Sequence, residues 1–411
     1  MADGPPEPPE PSRGAARPPL SRPHLPGAKR AVVIGAGSFG TAIAVLLARG
    51  GLRTTLQTRT EDQAGRLVAD RENLVYLPGV ELPRDLRIEP VSAGLQRADY
   101  VFLGVPSTDL AEVIAALPEA GLGRRTAVVS LSKGLVPPDG RPPTVVLRER
   151  FGGDRVACIG GPAHADEMVT AGAGLVAASS DEALAEALTS VFTRAGVVCE
   201  LSNDPIGVEL AGAAKNAAAL ASGATEAQGL NAAGAAAGHI FAEIWRFAEA
   251  NGARPESMIG LAGTGDLVAT ALAPQSRNRR AGELLAEGVP ASEIHARVGQ
   301  AVEALESVPL MARALERAGF DAPVTGALAR LISGELPLED WVALVRATVP
   351  PRAGWGRPSS PGFWLRFREW LGRPLGRGRS ARPAAPPESP LPRTERFRMP
   401  ERMRWRFRPR R

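Results

Sequence analysis

Short apolar runs alternate with amphipathic segments through the first half of the chain. The run at residues 31–34 is rich in β-branched side chains and is followed by apolar residues at helical spacing, which is typical of a buried strand that leads into a helix. Further extended runs lie at residues 54–57, 100–104, 127–131, 156–160, 174–178 and 197–201. Strands that alternate with helices in this way predict an α/β domain built around a mainly parallel sheet.

A different pattern begins near residue 204, where Ala, Leu, Glu and Arg recur at the 3.6-residue spacing of helices. The second half of the chain is therefore predicted to be all-helical. Turn-forming residues at 202–205 mark the boundary, and either Asn203 or Asp204 is placed to cap the helix that follows. We expect an α/β domain at residues 29–201, an all-helical domain at 202–349, and disordered ends, a Pro-rich lead at 1–28 and a basic Arg- and Pro-rich tail at 350–411.

The net charge of +5 misrepresents the folded part, because the final 62 residues hold 17 arginines against four acidic residues. Residues 1–349 carry a net charge of −8, which argues against nucleic acid as a partner of the folded body. Within the tail, aromatic residues such as Phe363, Trp364 and Phe367 share a helical face that arginines flank. Three interpretations of the tail stay open: a passive extension, a weak contact with a membrane surface, or an attachment to RNA.

Cysteine usage and the N-terminal composition indicate a compartment. Cys158 and Cys199 lie within apolar stretches and lack the close spacing of a zinc-ligand set, so we expect two buried, reduced thiols and no metal. Residues 1–28 contain nine prolines and no apolar run, unlike a secretory signal peptide, and no apolar segment is long enough to span a membrane. These features predict a soluble, cytoplasmic protein.

A glycine-rich turn with the sequence Gly-Ala-Gly-Ser-Phe-Gly, residues 35–40, joins the first predicted strand to the first helix. In this position Gly35 permits a tight turn, Gly37 lets the backbone approach a pyrophosphate, and Gly40 allows helix and strand to pack closely. The phosphates of a dinucleotide would meet the free N–H groups at the N-terminus of the helix. The first domain is therefore predicted to be a Rossmann-type nucleotide-binding domain.

The end of the second strand indicates which nicotinamide cofactor to expect. NAD sites place an acidic residue about 20 residues beyond the glycines, where it accepts hydrogen bonds from the ribose hydroxyls. This chain has Arg59 at that point, and a guanidinium suits the 2′-phosphate of NADP. NADPH is the expected cofactor, and NADH is the alternative because Glu61 and Asp62 lie close by.

Lysine is rare in this chain, since only Lys29, Lys133 and Lys215 occur against 46 arginines. Where arginine serves almost everywhere else, a lysine in an uncharged motif indicates that an ammonium able to exchange its proton is needed. Lys133 follows a predicted strand at the edge where parallel sheets bind ligands. Lys215 lies on a helix among alanines and a glycine, where loss of hydration is expected to lower its pKa towards a value suited to acid–base catalysis.

Two further clusters complete a candidate site in the helical half. The sequence Gly-Thr-Gly-Asp at residues 263–266 places one carboxylate, Asp266, in what is expected to be a flexible turn. Residues 275–280 begin a predicted helix with donor side chains that suit a phosphate group. Each cluster, taken alone, also fits an ordinary turn or a solvated helix end.

In their order along the chain, these segments resemble the bacterial glycerol-3-phosphate dehydrogenases, which reduce dihydroxyacetone phosphate with NAD(P)H. The resemblance covers residues 30–346 and rests on motifs at residues 34–42, 132–134, 160–165, 207–216, 260–267 and 275–279. It implies that Lys215 is the catalytic proton donor and acceptor at the C2 oxygen of the substrate. The implied substrate-binding residues are Lys133, Gly161, Ala163, Lys215, Asp266, Ser276, Arg277 and Asn278. The implied cofactor-binding residues are Gly35, Gly37, Ser38, Phe39, Gly40, Arg59, Lys133, Ala165, Arg277, Ala301 and Glu303.

The sequence departs from the family pattern at a predicted site residue, Ala163, and in the stretch after Glu303, at residues 304–307. Family members usually carry Ser or Thr where this chain has Ala163, so a hydroxyl contact with the substrate is lost there and only the backbone remains. We also expect a homodimer, and the resemblance implies a supply of glycerol 3-phosphate for phospholipid synthesis. On the sequence alone two alternatives stay open: another two-domain NADP-dependent reductase of a different hydroxy acid, or a non-catalytic nucleotide-binding protein.

Overall fold

An eight-stranded sheet dominates the first half of the protein in a computed structural model, which describes residues 29–91, 94–273 and 276–349. The strands in these residues are β1 (Arg30–Ile34), β2 (Arg53–Thr58), β3 (Glu72–Asn73), β4 (Leu77–Glu81), β5 (Arg87–Pro90), β6 (Tyr100–Leu103), β7 (Ala127–Ser130), β8 (Val156–Gly160), β9 (Gly174–Ser179) and β10 (Val198–Ser202). Their order in the sheet is β10-β9-β8-β7-β6-β1-β2-β5, and β3 pairs with β4 in a separate hairpin. Neighbouring strands are parallel across the sheet from the β5 edge through β2, β1, β6 and β7 to β8, whereas β9 runs antiparallel to β8. The predicted, mainly parallel sheet is confirmed.

Helices connect the strands and make up the described second half, as predicted. In the first half they are α1 (Ser38–Arg49), α2 (Glu61–Asp70), α3 (Leu110–Ala116), α4 (Pro143–Phe151), α5 (Ala165–Thr170) and α6 (Glu182–Arg194). In the second half they are α7 (Pro205–Thr225), α8 (Leu230–Ala250), α9 (Pro255–Ile259), α10 (Asp266–Leu272), α11 (Arg277–Ala286), α12 (Ala291–Val298), α13 (Glu303–Arg317), α14 (Pro323–Ile332) and α15 (Leu338–Ala347). None of these helices is long and apolar enough to cross a membrane.

Asp204 fixes the start of the long helix α7. One oxygen of its buried carboxylate accepts a hydrogen bond from the N–H of Gly207 at 2.8 Å. The other oxygen accepts from the N–H of Arg254 and from the hydroxyl of Ser257, both at 2.7 Å. One carboxylate therefore caps α7 and ties the start of α9 to it. Of the two caps that the sequence allowed, the structure has Asp204.

The core positions α7 against the end of the sheet. The largest apolar cluster combines residues of α7 and its neighbouring helices with sheet residues such as Cys158 and Val176. Val208 lies so close to β8 that a Cβ placed on Gly160 would be 2.5 Å from a Val208 methyl group. Packing is thus continuous from the sheet into the helical half, and the domain boundary at residue 202 stays a prediction.

The structure corrects several details of the sequence-based picture. Strand β5 and the β3–β4 hairpin were not predicted, because they are short and show neither a continuous apolar run nor an alternating pattern. The pattern at residues 107–117 predicts a helix capped by Ser107, whereas the observed helix α3 begins at Leu110 with Asp109 as its N-cap, because residues 107–109 form a turn. Cys158 is buried as expected, but Cys199 is only partly buried, because β10 is an edge strand.

Three predicted features lie outside the described residues. They are the lead at 1–28, the tail at 350–411 and Gln275 of the phosphate motif.

Candidate active site

Loops at one edge of the sheet carry the predicted site residues of the first half. Each of these loops follows the carboxyl end of a parallel strand. Gly35 follows β1, Arg59 follows β2, Lys133 follows β7 and Gly161 follows β8. Helix α7 packs against β8 and supplies Lys215. The carboxyl edge of an open parallel sheet is where such folds bind ligands.

The glycine loop fits the pyrophosphate of a dinucleotide. Gly35 has a φ of +107°, and a Cβ there would lie 2.4 Å from the carbonyl oxygen of Gly104. A Cβ on Gly40 would lie 2.1 Å from the carbonyl oxygen of Gly35, whereas Gly37 has no atom within 4 Å of its Cβ position. No side chain of the described residues caps α1, so its first N–H groups face the open space beside Gly37 and suit an anion.

Asn73, which the sequence did not single out, holds this loop from the β3–β4 hairpin. Its buried side-chain amide donates to the carbonyl oxygen of Ala36 at 3.0 Å and to the Thr41 hydroxyl at 2.8 Å. Its side-chain oxygen accepts from the N–H of Tyr76 at 3.3 Å. The hairpin therefore fixes the glycine loop through one residue. A single asparagine in a short polar segment gives no signal of this role in the sequence.

Arg59 lies directly beyond the end of β2, with an exposed side chain. Its backbone N–H donates to the Gln63 side chain at 3.3 Å. Within the described part of the chain, no salt bridge engages its guanidinium. It lies at the strand end where Rossmann domains hold the adenosine ribose.

Two lysines converge on one buried carboxylate, Asp266. The Nζ of Lys133 lies 2.6 Å from Oδ2 of Asp266 and donates to the carbonyl oxygen of Gly161 at 3.0 Å. The Nζ of Lys215 lies 3.4 Å from Oδ1 of Asp266 and donates to the Thr270 hydroxyl at 3.2 Å. Asp266 is 2% exposed and Lys215 is 8% exposed. Two ammonium groups therefore share one carboxylate between the sheet edge and α7.

Burial and charge set the proton affinity of this group. Burial lowers the pKa of the Lys215 ammonium to about 8, and the charge of Lys133 adds to that effect, although Asp266 and Glu303 oppose it. Burial also opposes ionisation of Asp266, but the two ammonium groups outweigh it and lower the pKa of that carboxyl. With a pKa near 8, Lys215 can both hold and release a proton near neutral pH.

Asn216 of α7 links three segments of the predicted site. Its side-chain amide donates to the Glu303 carboxylate at 3.0 Å and to the carbonyl oxygen of Lys133 at 3.5 Å. Its side-chain oxygen accepts from the amide of Asn278 at 2.8 Å, and the Asn278 oxygen accepts from the N–H of Ala304 at 3.2 Å. The starts of α11 and α13 are thereby fixed to the loop after β7.

The N-terminus of α11 presents donors beside this network. Ser276 caps the helix, because its hydroxyl accepts from the N–H of Arg279 at 3.4 Å. Arg277 follows with an exposed guanidinium that donates to the carbonyl oxygen of Ala301 at 3.1 Å. A guanidinium at a helix N-terminus suits a phosphate group.

Asp266 does not lie in a flexible turn, contrary to the expectation from its glycine neighbours. Residues Leu261–Gly265 form a short π-helical turn, and Asp266 begins α10. A Cβ on Gly263 would lie 1.9 Å from the carbonyl oxygen of Met258. Glycine is therefore present for close packing, and the carboxylate is held on a wound, buried backbone.

Contacts connect many of the predicted residues but not all of them. The Phe39 ring lies 5.6 Å from the Nζ of Lys133. The glycine loop therefore meets the loop that follows β7 and carries Lys133, here called the lysine loop. Among the described residues, no hydrogen bond joins Ala163, Ala165 or Ser276 to either lysine of the site. Thr270, one helical turn after Asp266, contacts Lys215 and was not predicted, although this four-residue spacing on a helix was the available signal.

Profiles of known families decide between the interpretations that the sequence left open. The NAD-dependent glycerol-3-phosphate dehydrogenase N-terminus matches residues 30–185, and the C-terminus of the same family matches residues 204–343. The chain belongs to the NAD-dependent glycerol-3-phosphate dehydrogenase family. The resemblance drawn from the spaced motifs is confirmed, and neither alternative receives support.

Individual glycerol-3-phosphate dehydrogenases align over most of their length. The NAD(P)+ enzyme of Deinococcus radiodurans is 39% identical over 313 residues, which are 74% of this chain and 90% of the relative. The NAD(P)+ enzyme of Methylococcus capsulatus is 35% identical over 338 residues, 79% of this chain and 98% of the relative. The crystal structure of glycerol-3-phosphate dehydrogenase from Coxiella burnetii has a TM-score of 0.73 and 30% identity, over 79% of this chain and 100% of that one. The α/β and helical halves are therefore the architecture of the family.

Proposed function

We propose that this chain transfers a hydride reversibly between NAD(P)H and C2 of dihydroxyacetone phosphate, with sn-glycerol 3-phosphate as the reduced product. The observation that carries the proposal is the buried Lys215 ammonium, with a pKa of about 8, held against Asp266 at the edge of a dinucleotide-binding sheet. Family membership and the names of the relatives supply the substrate class.

Lys215 is the proposed catalytic acid. In reduction its ammonium donates a proton to the C2 oxygen of the substrate, and in oxidation the neutral amine takes that proton back. Asp266 and the Thr270 hydroxyl, one turn apart on α10, hold the ammonium in place at 3.4 and 3.2 Å. A bound nicotinamide cofactor supplies or accepts the hydride.

The triose phosphate is proposed to lie between the two lysines and the start of α11. Lys133 would bind it beside Gly161, whose carbonyl oxygen already fixes the lysine. Ala163 would contribute its backbone alone. The phosphate would be held at the N-terminus of α11 by Ser276, Arg277 and Asn278, with Asp266 and Lys215 at the opposite end of the substrate.

NADPH is the proposed cofactor in preference to NADH. The support is the exposed guanidinium of Arg59 at the end of β2, which suits a 2′-phosphate. The glycine loop with Ser38 and Phe39 would hold the pyrophosphate end. The remaining proposed cofactor contacts are Lys133, Ala165, Arg277, Ala301 and Glu303.

A homodimer and a cytoplasmic location are proposed as well. The location is supported by the two free cysteines, which a reducing compartment would preserve. Contact of the tail at 350–411 with a membrane surface is a proposal from sequence alone, because the tail lies outside the described residues.

Initial rates with matched substrates test the function. The purified full-length protein is expected to oxidise NADPH with dihydroxyacetone phosphate and to release sn-glycerol 3-phosphate. Dihydroxyacetone, which lacks the phosphate, should be poorer by a factor on the order of 10² or more in kcat/KM, because the phosphate contacts are left unpaired. A 2-oxo acid should not be reduced, and turnover of that acid without turnover of dihydroxyacetone phosphate would overturn the proposal.

A further inference from the structure

A second buried carboxylate, Glu209, lies on α7 six residues before Lys215 and is 4% exposed. Both of its oxygens accept from the N–H of Thr144 at 3.0 Å, and one of them also accepts from the Thr144 hydroxyl at 2.6 Å. The hydroxyl of Ser130, at the end of β7, hydrogen-bonds the same carboxylate. Thr144 donates to Glu209 through both its N–H and its hydroxyl.

These bonds give α4 the cap that its own sequence lacks. Helix α4 begins at Pro143, and Pro142 at its N-cap position has no side-chain hydrogen bond to offer. Glu209, 65 residues away, instead binds the N–H of Thr144 in the first turn. A carboxylate at a helix N-terminus is favoured by the free N–H groups and by the helix dipole. Burial nevertheless raises the pKa of Glu209 to about 8, against the effect of the Thr144 and Ser130 hydrogen bonds.

The Ser130 contact leads directly to the lysine loop. The Ser130 hydroxyl oxygen accepts from the N–H of Ser132 at 3.3 Å, and the Ser132 hydroxyl oxygen accepts from the N–H of Gly134 at 3.3 Å. Lys133 lies between these two donors. Its backbone is therefore held in a short series of hydrogen bonds that begins at Glu209.

One face of α7 holds the loop at three levels. Glu209, Gly212 and Asn216 follow at intervals of three and four residues, so they share that face. A Cβ on Gly212 would lie 3.5 Å from the Cβ of Lys133, and Asn216 donates to the Lys133 carbonyl oxygen at 3.5 Å. The loop is thus held by Glu209 at its start and by Asn216 at Lys133 itself.

We propose that Glu209 is a positioning residue, which sets the location of the Lys133 ammonium by holding Ser130 and the backbone of the lysine loop. It touches neither substrate nor cofactor. The proposal rests on the proposed function where it concerns catalysis, because Lys133 is there a substrate contact, but the structural link from Glu209 to Lys133 stands apart from any reaction.

The chain contains a matched control. Glu243 of α8 is also buried and accepts from the N–H of Val324 at 3.0 Å, the N–H of Thr325 at 2.8 Å and the Thr325 hydroxyl at 2.6 Å. It caps α14 from a distance, as Glu209 caps α4, but its hydrogen bonds lead to no residue of the site. Glu209→Gln and Glu243→Gln therefore weaken the same type of cap, and only the first is expected to disturb the lysine loop.

Kinetics on the full-length protein form the first arm of the test. Glu209→Gln is expected to lower kcat/KM for dihydroxyacetone phosphate by a factor on the order of 10 to 100, since small misplacement of a binding group has effects of that size. For Glu243→Gln, kcat/KM per folded molecule should stay within about twofold of the wild-type value. Its Tm should fall by about as much as the Tm of Glu209→Gln. If both variants keep equal kcat/KM, the positioning role is wrong.

Lysine NMR forms a second arm that needs no activity. Reductive methylation with carbon-13 formaldehyde gives one signal for each of Lys29, Lys133 and Lys215, the only lysines in the chain. Glu209→Gln should shift the Lys133 signal and leave Lys29 in place, whereas Glu243→Gln should shift neither. An unchanged Lys133 signal overturns the link.

Two further outcomes are also decisive. If the wild type fails to reduce dihydroxyacetone phosphate, the proposed function is wrong, and the NMR arm alone then supports or overturns the link. If Glu209→Gln does not fold, Ser130→Ala breaks the link while leaving the Glu209 to Thr144 hydrogen bonds intact. That variant should shift the Lys133 signal, and no shift overturns the proposal.

Discussion

The surroundings of Lys215 explain how an ammonium becomes an acid that works near neutral pH. Burial among small side chains lowers its pKa to about 8, and Asp266 keeps the protonated form from being lost altogether. Arginine, which hardly releases a proton, would not serve in this place. That difference accounts for a lysine here in a chain that uses arginine almost everywhere.

The direction of this pKa shift predicts opposite pH profiles for the two reactions. Below about 8 Lys215 is an ammonium, so kcat/KM for reduction of dihydroxyacetone phosphate should fall as the pH rises through that value. Oxidation of glycerol 3-phosphate needs the neutral amine, so its kcat/KM should rise over the same range. Rates measured in both directions with the free enzyme check this. Parallel profiles would contradict the role of Lys215.

Arg59 predicts the cofactor preference. Arg59→Asp removes the partner of a 2′-phosphate and places a carboxylate near the ribose hydroxyls, so the ratio of kcat/KM for NADPH to that for NADH should fall. Arg66→Asp, an exposed position on α2 with the same change of charge, is the control and should leave the ratio unchanged. An unaltered ratio in Arg59→Asp would mean that this guanidinium faces solvent when the cofactor is bound.

Residue identities predicted the chemistry of the site better than its scaffolding. Lys133, Lys215 and Asp266 were recognisable because each is an unusual residue type in its local setting, and the structure joins them. Asn73 and Glu209 were not, because their partners lie far along the chain and nothing local marks them. Only the folded chain shows which distant backbone groups a buried polar side chain satisfies.

At the level of helices, the crossing of α7 and α11 sets the distance from the proposed catalytic lysine, Lys215, to the proposed phosphate site. A Cβ on Gly282 would lie 2.0 Å from the carbonyl oxygen of Leu220, and a Cβ on Gly223 would lie 2.0 Å from that of Arg279. Glycine on both helices therefore allows backbone-to-backbone contact. Arg279 adds a bidentate pair with Glu226 at 3.0 and 3.1 Å, which fixes the rotation of α11.

Gly282→Ala tests this crossing. The added methyl group meets backbone, which cannot yield as a side chain would, so α11 should move away from α7. The expected results are a higher KM for dihydroxyacetone phosphate and a fall in the free energy of unfolding of about 1–3 kcal/mol, measured by denaturant titration. Gly326→Ala on α14 is the control, because its Cβ position is open. That change should be neutral or stabilising by up to about 1 kcal/mol.

If Gly282→Ala keeps the wild-type KM, the crossing does not set the position of the phosphate contacts.

Element prediction succeeded where the pattern was long and local. Strands β1, β6 and β7 were predicted from continuous apolar runs, because both faces of the sheet are covered. Strand β5 is held in place by pairing with β2 and has no pattern of its own. The π-helical turn before Asp266 looked like a loop because its glycines serve packing.

On the scale of the whole molecule, the candidate site is built by segments from both halves of the sequence. The sheet edge contributes the glycine loop and Lys133, and the helices contribute Lys215 and Asp266. The excess of arginine after residue 349 lies apart from all of these segments in the sequence. The charge of the tail is therefore no guide to the substrate of the folded part.

Truncation after Val349 is expected to leave dehydrogenase activity unchanged, since every motif of the site precedes that residue. Loss of turnover in the truncated protein would show that the tail completes the fold or the dimer. Co-sedimentation of both forms with anionic vesicles at two salt concentrations tests the membrane interpretation of the tail. Salt-sensitive binding of the full-length form alone indicates membrane contact, and no binding by either form contradicts it.

The role of Lys215 is tested most directly by measuring turnover and NADPH binding side by side in Lys215→Ala. The account predicts that kcat falls by a factor of about 10² to 10⁴, while the Kd for NADPH stays close to that of the wild type, because the cofactor contacts lie elsewhere. Lys29→Ala is the control and should keep full turnover. Lys29 directly precedes β1, and its ammonium donates to the Tyr100 hydroxyl. Wild-type turnover in Lys215→Ala, or loss of NADPH binding together with turnover, would contradict the account.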